Sequence, residues 1–292
     1  MQGQLVRAQA TDGLRLDGFF LPPADSAVLD RPRPFDAALL LHGVAANFYT
    51  SSTLEAVVPM LRDRGIAVLL ANTRGHDGVF SSSIGMTRKR FGSAYEIVDE
   101  CRADIRGWIN FLVAQRHSRL LLLGHSLGGV KAVYAQAHDR HAEVQGIVAA
   151  SPPRLSYKAF LAGSESALFF ESMQTAKDLV AAGQPDELFT AKFPFPLLIS
   201  AASYIDKYGP AERYHLLDAA AKLTVRSHFL YGSKELESGG IAFAGLPEAL
   251  NGLGRGDTLS VDVIQGGDHV YTGVQQQLAA AIGKWVDAIA VG

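Results

Sequence analysis

Residues 119–129 read Arg-Leu-Leu-Leu-Leu-Gly-His-Ser-Leu-Gly-Gly, and this stretch decides the fold. Four consecutive leucines after a charge are typical of a strand that is buried on both faces of a parallel sheet. A helix is predicted after it, over 129–137, so Ser126 falls on the turn between the two elements. Gly124 and Gly128 stand two residues before and two residues after Ser126. A sharp strand-to-helix turn that exposes a strained serine requires small residues at both positions. Ser126 is therefore predicted to be a nucleophile.

The rest of the chain alternates short apolar runs with helical patterns. Strands are predicted over 14–21, 37–41, 67–71, 119–123, 144–150, 224–231 and 258–264, and helices over 52–64, 93–116, 129–137 and 273–289. Such alternation favours an α/β fold in which helices connect parallel strands. In the helix 93–116 the apolar residues recur at the 3.6-residue spacing of one buried face. Cys101 lies on that face, which predicts a core residue rather than a reactive thiol.

Composition excludes several classes of protein. The chain has 292 residues, of which 48% are apolar and 19% charged, so it can bury a large core and is not disordered. Its 27 Lys and Arg balance 29 Asp and Glu for a net charge of -2. Because nucleic acid and anionic membranes attract basic surfaces, neither is an expected partner. The longest nearly apolar stretch, 193–202, is far shorter than the roughly 20 residues that span a bilayer.

Cysteine usage and the first residues predict a cytoplasmic protein. A single cysteine, Cys101, cannot form an intramolecular disulfide, and the N-terminus Met-Gln-Gly-Gln-Leu-Val-Arg has no apolar signal region. The run Arg74-Gly75-His76-Asp77 contains metal-ligand residue types, but no partner cluster stands at ligand spacing. No metal site is predicted, and the oligomeric state is left open.

One segment, 154–221, interrupts the alternation. It holds 10 of the chain's 26 aromatic residues, and its one strand-like run is the proline-flanked 197–201. We interpret 154–221 as an inserted helical cap on a core formed by 1–153 and 222–292. The aromatic residues either pack the small core of the cap or line an apolar pocket, and both interpretations remain open.

A serine nucleophile requires a general base. After a strand-turn-helix serine the order along the chain is nucleophile, acid and then histidine. His269 is the last of nine histidines and lies in Gly266-Gly267-Asp268-His269-Val270, directly after the last predicted strand. His269 is therefore the predicted base.

The acid that orients this base should follow the preceding strand, 224–231. There Gly232 ends the strand and Glu235 follows three residues later. Glu235 is predicted to accept the imidazole N–H and to stabilise the imidazolium. Glu237 is the rival, and either glutamate could instead be a solvated surface charge.

An oxyanion hole requires backbone N–H groups that point at the developing charge. One is predicted from Leu127, the residue after the nucleophile. The second is predicted from Val44, in the loop His42-Gly43-Val44-Ala45-Ala46-Asn47 after the strand 37–41. Gly43 permits a close backbone approach, although a simple turn would use the same residues.

These motifs together resemble the α/β-hydrolase superfamily over nearly the whole chain. The motifs are His42-Gly43, Asn72-Thr73-Arg74-Gly75-His76, the turn around Ser126, the Gly232-to-Glu235 loop and Gly267-Asp268-His269. The resemblance implies an eight-stranded, mostly parallel sheet flanked by helices, with a variable cap after the sixth strand, and a serine hydrolase without a cofactor. Glutamate as the acid departs from the aspartate of most members. Residues 42–47 are also similar to the branch that contains fungal siderophore esterases, which does not define a substrate.

Three classes of function follow. The first is hydrolysis of a small to medium apolar carboxylic ester, thioester or lactone through an acyl-serine. The second is amide or peptide hydrolysis, as in an aminopeptidase, which needs cap carboxylates for a substrate ammonium group; the candidates are Glu165, Glu171, Asp186 and Glu187. The third is a ligand receptor without catalysis. A complete Ser, Glu and His set argues against the receptor, because ligand binding alone does not require it.

Overall fold

A computed structural model describes residues 3–25, 27 and 33–291. Outside these residues lie Met1 and Gln2 of the N-terminal segment considered above. Positions 26, 28–32 and 292 of the predicted core also lie outside them. The strands are β1 Gln4–Gln9, β2 Arg15–Leu21, β3 Ala37–Leu41, β4 Ala67–Ala71, β5 Phe80–Ile84, β6 Thr87–Phe91, β7 Leu120–His125, β8 Val144–Ala150, β9 Leu188–Ala191, β10 Leu197–Ser200, β11 Arg226–Gly232 and β12 Leu259–Ile264. The helices are α1 Ser52–Asp63, α2 Cys101–Ala114, α3 Leu127–Asp139, α4 Tyr157–Ala162, α5 Ser166–Ala181, α6 Ala201–Tyr208, α7 Leu216–Ala221, α8 Ser233–Ser238, α9 Leu246–Asn251 and α10 Gln275–Val291. Three 3-10 turns are Val98–Glu100, Gly240–Ala242 and Gly256–Thr258. Within the described ranges, no helix combines the length and the apolar character needed to cross a membrane.

Eight strands form one sheet in the order β1-β2-β4-β3-β7-β8-β11-β12. The six strands from β4 to β12 pair in parallel, whereas β2 runs antiparallel to both of its neighbours. Strands β3, β4 and β7 are buried along their whole length, because α2 and α3 cover one face of the sheet and α1 and α10 cover the other. This arrangement confirms the predicted α/β fold with an eight-stranded, mostly parallel sheet.

Some elements differ from the sequence prediction. Helix α2 begins at Cys101, eight residues after the predicted start, because the segment before it is irregular and includes the 3-10 turn Val98–Glu100. Cys101 is buried, as predicted. Strand β1 and the antiparallel hairpin β5–β6 were not predicted. Strand β1 is exposed or half-buried throughout, so its sequence carries no apolar run.

Residues between β8 and β11 include the predicted cap segment 154–221. They form α4, α5, the antiparallel pair β9–β10, α6 and α7, so the segment is mostly helical and the predicted strand 197–201 is realised as β10. Phe160, Phe169 and Phe193 pack edge to face, with ring centroids 4.9 to 5.4 Å apart. These three aromatic residues therefore form a small core inside the segment.

Candidate active site

The turn at Ser126 joins β7 directly to α3. Ser126 has φ 56° and ψ -125°, a conformation that non-glycine residues rarely adopt. Three backbone hydrogen bonds hold it there. Its N–H donates to the carbonyl of Ala150 at 2.8 Å, and its own carbonyl accepts from the N–H groups of Gly129 at 2.9 Å and Val130 at 3.3 Å. A Cβ atom on Gly124 would lie 2.2 Å from the Gly128 carbonyl carbon, and one on Gly128 would lie 2.2 Å from the Leu41 carbonyl oxygen. Both glycines are therefore required by backbone contacts.

The neighbouring glycines of this turn should respond differently to substitution. We expect Gly128→Ala to lower the free energy of unfolding by about 2 kcal/mol or more and to displace Ser126, since the clash involves backbone that must move. Gly129 is the matched control, because a Cβ there meets its nearest atoms at 3.2 to 3.3 Å and lies in a helix, where alanine is favoured over glycine. Urea denaturation of both variants checks this, and equal losses would contradict it.

The structure brings Ser126, His269 and Glu235 into one chain of hydrogen bonds. His269 Nε2 lies 2.9 Å from Ser126 Oγ, and His269 Nδ1 lies 2.5 Å from Glu235 Oε1. His269 follows β12 and Glu235 follows β11, and the carboxyl ends of parallel strands meet at the same edge of a sheet. Glu235 lies in the first turn of α8 rather than in a loop, and it is 3% exposed. Glu237 lies on the exposed side of α8, away from this chain of hydrogen bonds.

Two further residues hold the Glu235 carboxylate, and the sequence analysis missed both. The Ser151 hydroxyl donates to Glu235 Oε2 at 2.7 Å, and the Gly232 N–H lies 3.3 Å from the same oxygen. The Tyr271 hydroxyl lies 2.9 Å from Ser151 Oγ and donates to the Leu230 carbonyl at 3.0 Å. Because Oε2 is engaged in this way, the other oxygen, Oε1, faces His269.

Two buried histidines brace the loops around Ser126. His125 Nε2 donates to the carbonyl of His269 at 2.7 Å, which fixes the loop that carries that residue. His42 Nε2 accepts from the Thr73 N–H at 3.1 Å, and its Nδ1 donates to the Gly43 carbonyl at 2.8 Å. Burial lowers the pKa of His42 to about 3 and that of His125 to about 4, with further lowering by Lys131 and His269 respectively. Both rings are therefore neutral at pH 7.

These two histidines make folding sensitive to acid. Their pKa values in the folded state lie below the ordinary value of 6.5, so between pH 6.5 and about 4 the unfolded chain binds protons that the folded protein does not. The stabilisation is present above pH 6.5 and is lost as the pH falls. We expect the free energy of unfolding to fall by about 1 kcal/mol per histidine between pH 7 and pH 5.5. Urea denaturation at pH 7 and pH 5.5 checks this. Between these two pH values the free energy of unfolding of His125→Asn should fall by about 1 kcal/mol less than that of the wild type. The same pH dependence in both proteins would contradict the assignment.

The predicted oxyanion donors belong to two residues near the nucleophile. Val44 and Leu127 line the same cavity as Ser126 and His269. Among the described residues, the N–H of neither has a hydrogen-bond acceptor. The Val44 loop approaches closely, since a Cβ on Gly43 would lie 3.1 Å from Ser126 Cβ. Two residues that line the cavity with the serine therefore have backbone N–H groups without an acceptor in the described part of the chain.

The cavity over Ser126 has a volume of about 250 Å³ and is mainly apolar. Its walls combine the predicted cap with a segment between β11 and β12 that the sequence analysis missed; the residues are Phe160, Pro194, Phe195, Tyr208, Ala242 and Phe243. No aspartate or glutamate is among the described residues that line it. The four cap carboxylates considered for an ammonium group are all exposed, and none of them is among the residues that line the cavity; they are Glu165, Glu171, Asp186 and Glu187.

The run Arg74-Gly75-His76-Asp77 forms ion pairs. Arg74 is buried and its guanidinium lies 2.8 Å from Asp104 and 2.9 Å from Glu100. His76 Nδ1 lies 2.8 Å from Asp77, whose carboxylate also accepts from Asn47 at 2.7 Å. In the part of the chain that the structure describes, no three His, Cys, Asp or Glu side chains are grouped so that they could hold a metal ion.

A buried charge cluster joins the Ser126 helix, α3, to α6 in the predicted cap segment. Glu96 carries a carboxylate that lies 2.5 Å from Lys131 Nζ on α3 and 3.5 Å from Lys207 Nζ on α6, and all three side chains are buried. Burial opposes the negative charge of Glu96, but the two lysines lower its pKa to about 2. Lys131 also donates to Thr73 Oγ1 at 3.0 Å, next to His42. We call these three residues the Glu96 cluster.

Comparison with known proteins gives one family and many similar folds. A sequence model of the alpha/beta hydrolase family matches residues 38–290. No curated protein matches the chain significantly. Among solved structures, Est1E from Butyrivibrio proteoclasticus is similar at 15% identity, with 100% of both chains covered and a TM-score of 0.63. The alpha/beta hydrolase GrgF from Penicillium sp. sh18 has 13% identity, 99% and 98% coverage and a TM-score of 0.68. The Pyrococcus furiosus esterase PF2001 has 13% identity, 98% and 91% coverage and a TM-score of 0.63. At these identities the likeness concerns the fold.

Proposed function

The chain belongs to the alpha/beta hydrolase family, and on that premise we propose that it is a serine hydrolase acting on a carboxylic ester of a small to medium apolar substrate. The observation that carries this proposal is the chain of hydrogen bonds from Ser126 through His269 to Glu235, at the wall of an apolar cavity. Thioesters and lactones present the same reacting carbonyl and belong to the same proposal.

The proposed reaction uses the groups in the order in which they are connected. His269 Nε2 removes the proton of Ser126 as the serine oxygen attacks the ester carbonyl. The N–H groups of Val44 and Leu127 donate to the oxyanion that forms, and Glu235 stabilises the imidazolium through its contact with Nδ1. The imidazolium then protonates the leaving alcohol, which produces an acyl-serine. Water activated by His269 hydrolyses that intermediate and restores the free serine.

The cavity favours an ester over the substrate of an aminopeptidase. An N-terminal ammonium group needs a carboxylate partner when it leaves water. The described lining provides none, and one of its residues is the cation Arg154. The name of one similar structure supports the ester, since it is an esterase of Pyrococcus furiosus.

The segment 154–221 is proposed to act as the cap of this site. Phe160, Pro194, Phe195 and Tyr208 all come from it and form part of the cavity wall over Ser126. The substrate would therefore be chosen by cap residues, whereas the chemistry is carried by the core formed by 1–153 and 222–292.

Labelling with a fluorophosphonate tests the proposal, because this probe reacts covalently with an activated serine. We expect one label per chain on Ser126, located by peptide mapping, together with hydrolysis of p-nitrophenyl butyrate. Absence of both labelling and hydrolysis would contradict the proposal and favour a ligand receptor.

A further inference from the structure

Arg154 is a cation in the wall of the cavity that contains Ser126. It lies four residues after the end of β8 and lines the cavity together with Ser126 and His269. Its guanidinium donates to two backbone carbonyls, those of Ile241 at 3.3 Å and Ala244 at 3.1 Å. Carbonyl oxygens are neutral, so these bonds hold the group in place without compensating its charge.

No carboxylate pairs with Arg154 among the described residues. Arg74, by contrast, is surrounded by three carboxylates, and these outweigh burial and raise its pKa. For Arg154 burial acts largely unopposed and lowers the pKa. A guanidinium remains charged in proteins, so the cavity wall carries a partly desolvated positive charge.

The surroundings let this charge act on a bound molecule. The lining is mainly apolar and includes no aspartate or glutamate among the described residues, so the cavity wall itself does not neutralise the charge of the guanidinium. A guanidinium has five N–H donors in a planar fork, and the two carbonyls engage only some of them. The remaining donors suit a carboxylate, which binds a guanidinium through charge-assisted hydrogen bonds.

We propose that Arg154 is an anion-recognition subsite of the cavity, and that the preferred substrates are apolar esters that also carry a carboxylate, such as monoesters of short dicarboxylic acids. This inference rests on the proposed ester hydrolysis. Arg154 binds the anionic end of the substrate, the apolar walls contact its carbon chain, and the ester carbonyl lies at Ser126. Arg154 is a specificity residue and takes no part in bond making.

The test compares three p-nitrophenyl esters of similar length: the neutral pentanoate, the anionic glutarate monoester and the cationic 4-(trimethylammonio)butyrate. For each ester, kcat/KM is divided by the rate constant of its spontaneous hydrolysis. For the wild type we expect this ratio to be highest for the anionic ester and lowest for the cationic ester. Arg154→Met should lower the ratio of kcat/KM for the anionic ester to that for the neutral ester by about 10- to 100-fold, mainly through KM. Arg154→Lys should retain part of the preference.

A matched variant controls for the change in net charge. Arg226 is exposed at the start of β11, at the sheet edge opposite Ser126. Arg226→Met removes the same charge and should leave the ratio unchanged. If Arg154→Met lowers kcat/KM equally for all three esters, or only lowers thermal stability, Arg154 is a clamp on residues 241–244 and the subsite is overturned.

A binding measurement separates this inference from the proposed reaction. Calorimetry with Ser126→Ala and with Ser126→Ala/Arg154→Met uses the stable ester monobutyl glutarate as the probe. About tenfold weaker binding to the double variant supports the subsite even if no ester is hydrolysed, in which case only the proposed function fails. Equal binding by both variants overturns the subsite even if the wild type is an esterase.

Discussion

Replacing Ser126 by alanine is expected to abolish fluorophosphonate labelling and to lower turnover of p-nitrophenyl esters by at least about 10⁴-fold. The substitution removes the atom that forms the acyl intermediate, and the remaining rate is what the oxyanion donors and substrate binding support. The fold should persist, because alanine keeps the Cβ that already occupies positive φ at this position and the change removes one hydrogen bond, to His269.

Activity, labelling and unfolding should be measured on the same preparation of Ser126→Ala. Ser238→Ala is the control, since Ser238 is an exposed serine on α8 and should be labelled neither before nor after the change. A label that survives in Ser126→Ala, or that maps to another serine in the wild type, would show that the nucleophile is elsewhere.

The second large effect is expected for Glu235→Gln, with a loss in turnover of up to about 10⁴-fold by analogy with the aspartate-to-asparagine change in serine proteases. Glutamine keeps the length of the side chain but removes the negative charge that stabilises the imidazolium of His269. It also permits the amide nitrogen, rather than the oxygen, to face Nδ1, which would favour the wrong tautomer. Circular dichroism and urea denaturation should accompany the kinetics, since Glu235 is buried.

Glu237→Gln is the internal control for this change. It removes the same charge two residues later, from an exposed side chain. A direct hydrogen bond predicts a large loss for Glu235→Gln alone, whereas a long-range field would lower both rates similarly. A large loss in turnover for Glu237→Gln would show that Glu237, two residues later in the chain, is the acid. If neither change matters, Asp268 or a cap carboxylate must be considered, and the site reduces to a Ser-His dyad.

The sequence predicted the sheet and the positions of Ser126, Glu235 and His269 for a common reason. In a parallel sheet each of these residues follows its own strand, and an apolar run that ends in glycine is visible in the sequence itself. Once the strands before Ser126, Glu235 and His269 had been recognised, their carboxyl ends had to meet at one edge. Their assigned roles remain predictions until the substitutions above are measured.

The supporting residues were not predictable in this way. Ser151 contacts Glu235 across 84 residues, and His125 contacts the His269 loop across 144. Such contacts leave no periodicity or motif, because any small donor in the right place would serve. Arg154 and the 239–243 segment were missed for a related reason: a cavity wall is set by how separate elements pack. Strand β1 was missed because a mostly exposed strand lacks the apolar pattern on which the prediction depends.

The Glu96 cluster also affects the local opening of the segment 154–221, which we propose to be a cap. Moving α6 away from the core would separate Lys207 from the buried Glu96 carboxylate and leave Lys131 as its one cation within the Glu96 cluster. Such a separation is unfavourable, because a buried charge depends on its partners. In the proposed cap, α5 exposes Leu168 and Phe170, and among the described residues its ion pair is the exposed one between Glu171 and Lys192. In hydrogen exchange, the amides of α6 should therefore open only with the core, whereas those of α4 and α5 should exchange earlier.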